Sequence, residues 1–176
     1  MPLTQLFSHP KNSFSASHFL IGYGKCDRLH GHNYVIRVQL QYSKKHSTDP
    51  IDFREINQRI RTETLLLNQK ILVPKNSSAI QINSELNGRN WRIMVNEKMY
   101  SFPKRDVAIL EGIDLTTAEN LARYIHSKIN IWLKQQFPSK IATMTVKVEE
   151  NLGNEASYSL QHALDQNPSP NVSQSQ

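Results

Sequence analysis

From His30 to Tyr42 the chain alternates with a period of two, and that alternation fixes a strand before anything else can be said. Tyr34, Ile36, Val38, Leu40 and Tyr42 fall on one face of a strand over about 31–42, while Arg37, Gln39 and Gln41 fall on the other. One face needs a core and the other tolerates water. His30 and His32 have the parity of the apolar set, so the face that meets the core also carries two imidazoles.

A second alternating run precedes it. Over residues 13–21, Phe14, Ala16, His18 and Leu20 share one strand face. Gly22 and Gly24 then open a loop that carries Lys25 to Leu29. A histidine on an apolar face is usually a hydrogen-bonded core residue. Three of them, two at strand spacing, instead suggest a tripod of nitrogens that zinc accepts, with its fourth position free for water or substrate. The lone Cys26 lies four residues before His30 and has two readings. It is a fourth ligand of a closed structural site, or a thiolate favoured by the cations of Lys25 and Arg28.

Beyond the strand pair, Asp52 is a plausible N-cap for a helix from Phe53 to about Leu67, with Phe53, Ile56, Ile60 and Leu67 at helical spacing. Short strands at 79–82, 90–95 and 98–102, with a turn at Asn87-Gly88, predict a small β insertion over about 76–106. Thr116-Thr117-Ala118-Glu119 has the pattern of a capping box, and the helix it opens runs until Pro138. Strands at about 141–150 and 155–161 complete the order β-β-α-(small β)-α-β-β. Glu150 ends an apolar strand face and must find a donor there, either a Lys or Arg or a bound ligand. The fold class is α+β: a four-stranded antiparallel sheet with both helices on one face, in a single domain over residues 1–162. Residues 163–176 carry one charge and little apolar surface, and read as a disordered tail.

The chain has 176 residues, a formal charge of +6 and one cysteine. Its cations are scattered without interleaved aromatics, which argues against nucleic acid and leaves an anionic small substrate as the reason for the surplus. No apolar run reaches membrane-spanning length, and the start shows no leader pattern. A cytoplasmic location is expected, and one cysteine suits a reducing compartment.

Phe14 to His18, Cys26 to Tyr34 (CDRLHGHNY), Ile51-Asp52-Phe53, Thr116 to Asn120 and Val146 to Glu150 occur in this order across residues 13–160. Together they make the chain resemble the 6-pyruvoyltetrahydropterin and 6-carboxytetrahydropterin synthase family. The four-residue step from Cys26 to His30 is similar to the carboxytetrahydropterin type. The resemblance implies the tunnelling fold and a homo-oligomer, commonly a hexamer built as a dimer of trimers. It implies Zn2+ on His18, His30 and His32, a catalytic Cys26, and pterin contacts at Thr117, Glu119 and Glu150. It further implies a zinc-dependent lyase acting on dihydroneopterin triphosphate, giving 6-carboxytetrahydropterin on a queuosine-type pathway, with 6-pyruvoyltetrahydropterin as the next product. One departure stands out: where the family has an Asp-His dyad, this chain has Asn68-Gln69. Gln69 cannot shuttle protons near neutral pH, so the alternative is a family member that binds pterin or purine with impaired catalysis.

Overall fold

The computed structural model describes residues 3–161, and the expected tail lies outside them. The alternating run becomes strand β3 (His30–Tyr42), numbered after β1 (Thr4–Phe7) and β2 (Ser13–His18). Its inward set, Tyr34 through Tyr42, is at most 1% exposed, so the period in the sequence is a burial pattern in the fold. Helix α1 (Phe53–Leu67) follows, then β4 (Lys70–Pro74), β5 (Ile80–Glu85), β6 (Asn90–Val95), β7 (Lys98–Pro103) and β8 (Val107–Leu110). Helix α2 (Ala118–Gln136), β9 (Ile141–Asn151) and β10 (Asn154–Gln161) complete the order.

Four antiparallel strands form the expected sheet in the order β10-β9-β3-β2. The sheet is wider than that, however, and mixed. β4 joins β2 in parallel, β8 joins β4 in parallel, and β1 pairs with the far end of β3, making seven strands in all. The added strands have only four or five residues, too few to show a period, and become strands through the pairing itself.

Both helices pack on one sheet face. Ile56, Ile60 and Leu67 of α1 and Leu121, Ala122, Ile125, Ile129 and Leu133 of α2 share a core with Tyr34, Ile36, Val38, Leu40, Val146 and Val148. Asp52 caps α1, its carboxylate accepting from the Arg54 amide at 2.8 Å. A separate three-stranded sheet, β5-β6-β7, has its own small core of Val73, Ile80, Ile93 and Val95, joined by Phe19 from just beyond β2. Phe19 stacks on Tyr100 with ring centroids 5.8 Å apart. The insertion therefore grips the start of the loop that carries Cys26.

Candidate metal centre

His18 and His30 are direct cross-strand partners in the β2–β3 register, and Ala16 faces His32. Between the two β3 histidines stands Gly31. A Cβ there would lie 3.1 Å from the Ala16 carbonyl oxygen and 3.2 Å from Ser17 Oγ, so the glycine permits close approach of the strands. One ligand atom from each of His18, His30 and His32 falls within 4.8 Å of the others.

The outer nitrogens of these rings are already engaged. His18 Nδ1 lies 3.0 Å from the Thr116 carbonyl oxygen, His30 Nδ1 lies 2.7 Å from the Arg28 carbonyl, and His32 Nδ1 lies 3.1 Å from Asn151 Oδ1. A carbonyl oxygen only accepts, so each Nδ1 carries the proton and each Nε2 keeps its lone pair. Oxygen acceptors behind imidazoles that converge are the usual support of a metal-ligating histidine set. Burial, followed by the charge of His30, holds the His18 imidazole down at about 4, so it stays a neutral donor at ordinary pH.

Glu150 meets this cluster. Its Oε1 lies 3.6 Å from Nε2 of both His18 and His32 and 3.4 Å from the Tyr34 hydroxyl, which donates to it. Burial, then the adjacent carboxylate, pushes the Tyr34 phenol far above its usual range, so it remains a donor. The donor that Glu150 needed is thus the Tyr34 hydroxyl, and among the described residues no Lys or Arg forms an ion pair with it.

Two clefts meet at Glu150. One, of about 420 Å³, is lined by Leu20, Tyr23, Thr117, Glu119, Glu150 and Ala156. The other, of about 740 Å³, is lined by Ser15, Ser17, His32, Asn33, Gln69 and Lys70 together with Glu150 and Asn151.

The capping box is shifted by one residue. Thr117, not Thr116, caps α2, its Oγ1 accepting from the Asn120 amide at 3.4 Å. Glu119 is therefore outside the cap and faces the cleft. Thr116 is fully buried behind His18, a role its sequence did not announce.

Cys26 lies half-buried in a one-turn 3-10 segment, Gly24–Asp27. It is not among the converging ligand atoms and lines neither cleft, although Tyr23 of the same loop does. The Cys26 carbonyl accepts from the Leu20 amide at 2.8 Å, which folds the loop back on the end of β2.

The sequence model of the 6-pyruvoyl tetrahydropterin synthase family matches residues 9–161. The chain belongs to this family. A Methanocaldococcus jannaschii protein named "Putative 6-carboxy-5,6,7,8-tetrahydropterin synthase" is 31% identical over 151 residues, 85% of this chain and 91% of that one. An Archaeoglobus fulgidus protein of the same name is 32% identical over 105 residues, 53% of this chain and 90% of its own length. The crystal structure of 6-pyruvoyltetrahydropterin synthase from Plasmodium vivax superimposes with a TM-score of 0.82 at 25% identity, covering 92% of this chain and 99% of that one. The fold is the family's tunnelling fold.

Within this pterin synthase fold Asn68 and Gln69 have definite places. Asn68 Oδ1 accepts from the Ser15 amide at 3.0 Å, and the Gln69 amide donates to the Ser15 carbonyl at 2.7 Å. The pair ties the end of α1 to β2. Gln69 takes a left-handed backbone at φ 57° and lines the larger cleft with His32. No helix of the described residues is long and apolar enough to cross a membrane.

Proposed function

We propose that this pterin synthase family member is a zinc-dependent lyase that converts dihydroneopterin triphosphate to 6-carboxytetrahydropterin. The observation that carries the reading is the convergence of three Nε2 lone pairs beside Glu150, at the junction of two clefts. Three neutral imidazoles fit zinc and leave room for a substrate oxygen. When bound there, zinc supplies a Lewis acid that orients side-chain hydroxyls and acidifies the adjacent C–H.

The chain's own residues take the remaining roles. The Glu150 carboxylate accepts from the amino-pyrimidine edge of the pterin, with Thr117 and Glu119 on the wall of the same cleft. Cys26 moves a proton as triphosphate and the two-carbon fragment leave. The carboxytetrahydropterin product is favoured by the four-residue Cys26–His30 step and by the printed names of the archaeal relatives; the pyruvoyl product is next. The reading carries with it a homo-oligomer, a dimer of trimers joined at sheet edges. The outer side of β10, which ends the strand order, supplies such an edge.

A second reading is a family member that binds pterin or purine without turnover. It is favoured by Gln69, which lines the larger cleft, occupies the position where the resemblance implies a dyad histidine, and cannot carry a proton. Acetaldehyde release from dihydroneopterin triphosphate separates the two. Stoichiometric, zinc-dependent release is expected, whereas bound zinc with no turnover of any dihydropterin contradicts the lyase.

A further inference from the structure

We infer that Asn151 is a positioning residue for the metal-ligating nitrogen of His32, and that a clamp on the opposite sheet face, Arg37–Glu149, holds it in place. The inference rests on the proposed metal site and goes beyond it, because neither Asn151 nor the clamp touches the converging nitrogens.

His32 and Asn151 sit on neighbouring strands, yet the main chain does not bring them together. The β3–β9 ladder ends at the pair Val35–Glu149, two residues short of Asn151. Beyond that point β9 is paired only to β10, and that pairing is itself irregular between Asn154 and Glu155. Nothing in the β3–β9 ladder sets where the Asn151 carboxamide lies relative to the His32 ring. Across the gap, His32 Nδ1 donates to Asn151 Oδ1 at 3.1 Å, while His32 Nε2 faces Glu150 Oε1 at 3.6 Å.

Glu149 takes over where the ladder stops. Its Oε2 receives Arg37 Nη2 at 2.6 Å, and its Oε1 accepts from the Gly153 amide at 3.1 Å. One carboxylate thus binds β3, through Arg37, to the β9–β10 turn, through Gly153. Gly153 has φ 86°, so the turn has a fixed left-handed corner at the clamped residue. Arg37 Nη1 also reaches Glu155 Oε2 at 2.6 Å, and Lys147 reaches Glu155 Oε1 at 2.9 Å, pinning both sides of the turn. The Arg37 contact, and then the Gly153 amide, hold the Glu149 carboxyl below its ordinary range, so the clamp stays charged at neutral pH.

A half-turn of the His32 ring would exchange Nδ1 for a carbon, and a change of tautomer would put the proton on Nε2. Either removes one of the three donors. The Asn151 oxygen blocks both by accepting from Nδ1–H, and losing such an outer partner typically costs 10–100-fold in metal affinity.

The test measures zinc affinity of the full chain by competition with a chromophoric chelator, alongside the visible spectrum of the cobalt(II) form. Asn151→Ala is expected to weaken zinc about 10–100-fold and to alter the cobalt spectrum. Asn151→Asp, which restores an oxygen acceptor, is expected to recover most of both. Glu149→Gln, which keeps an acceptor for Gly153 but loses the ion pair, is expected to shift both in the direction of Asn151→Ala by a smaller factor. A folded Asn151→Ala protein with wild-type zinc affinity and cobalt spectrum overturns the inference, as does an Asn151→Asp protein that recovers neither. Wild-type protein that fails to bind zinc contradicts the proposed function instead, so the two failures are distinguishable.

Discussion

His18 and His30 bring their Nε2 atoms to 3.1 Å of each other, although each ring already donates its Nδ1–H to a main-chain carbonyl. Two lone pairs facing at that distance repel, and a fold tolerates such a pair only where something positive comes between them. A shared proton or a shared metal ion satisfies both. A third nitrogen from His32 favours the metal, since a proton links two donors and cannot link three.

The protonation of His18 makes the metal-free fold sensitive to acid. Its folded pKa of about 4 lies below the ordinary value of 6.5. Above pH 6.5 both folded and unfolded chains are neutral at this residue. As pH falls from 6.5 toward 4, the unfolded chain takes up a proton that the folded chain refuses, so stability falls. The contribution reaches about 3 kcal/mol once pH is below both values. Denaturant unfolding of metal-free protein between pH 7.5 and 4.5 is expected to show this decline, and His18→Gln is expected to flatten it.

Gly31 sets the spacing of the ligands. Gly31→Ala places a methyl 3.1 Å from the Ala16 carbonyl and forces β2 from β3 between the paired histidines. A cost of about 1–3 kcal/mol in stability is expected from the overpacking. Zinc affinity, read by chelator competition, is expected to fall together with the unfolding midpoint.

The insertion steadies the cysteine loop. Phe19 is buried against Tyr100, and the next residue, Leu20, holds the Cys26 carbonyl. Tyr100 is only partly buried, so Tyr100→Ala is expected to cost about 1–2 kcal/mol locally, less than truncation of a fully buried aromatic. The rate of Cys26 alkylation is expected to rise several-fold as the loop loosens, while zinc content stays at one per chain. An unchanged alkylation rate would separate the insertion from the site.

How far the sequence could be read varies with the physics of each part. Parity alone placed His30, His32 and Glu150 on the face where they meet, because a strand repeats every two residues whatever its neighbours. Helix α1 was bounded by Asp52 and by its own apolar spacing, and its ends match the structure at Phe53 and Leu67. The acceptors behind the imidazoles were not legible. Thr116 arrives from just ahead of the α2 cap and Asn151 from the last residue of β9, past the end of its ladder with β3, and neither placement follows from local pattern. β4 and β8 are not legible in the sequence for a related reason: each is short, and only parallel pairing with β2 and with each other makes them strands. Two adjacent threonines satisfy the same capping pattern at the start of α2, and the hydrogen bond from the Asn120 amide selects Thr117.

The Asn68-Gln69 position predicts a gain. Asn68→Asp keeps the oxygen that accepts from Ser15, and Gln69→His places an imidazole on the cleft wall beside His32. A positioned proton carrier typically contributes 10²–10⁴-fold. The double variant is expected to raise kcat by about tenfold or more with little change in KM. A loss of activity would mean that Gln69 itself contacts the substrate.

Metal-stripped protein, reconstituted with one equivalent of zinc and given dihydroneopterin triphosphate, tests the central claim most directly when the pterin product is identified by mass. The account predicts 6-carboxytetrahydropterin from the reconstituted protein, and none from the stripped protein or from His30→Ala. Unchanged dihydroneopterin triphosphate after incubation with the fully zinc-loaded protein would contradict it.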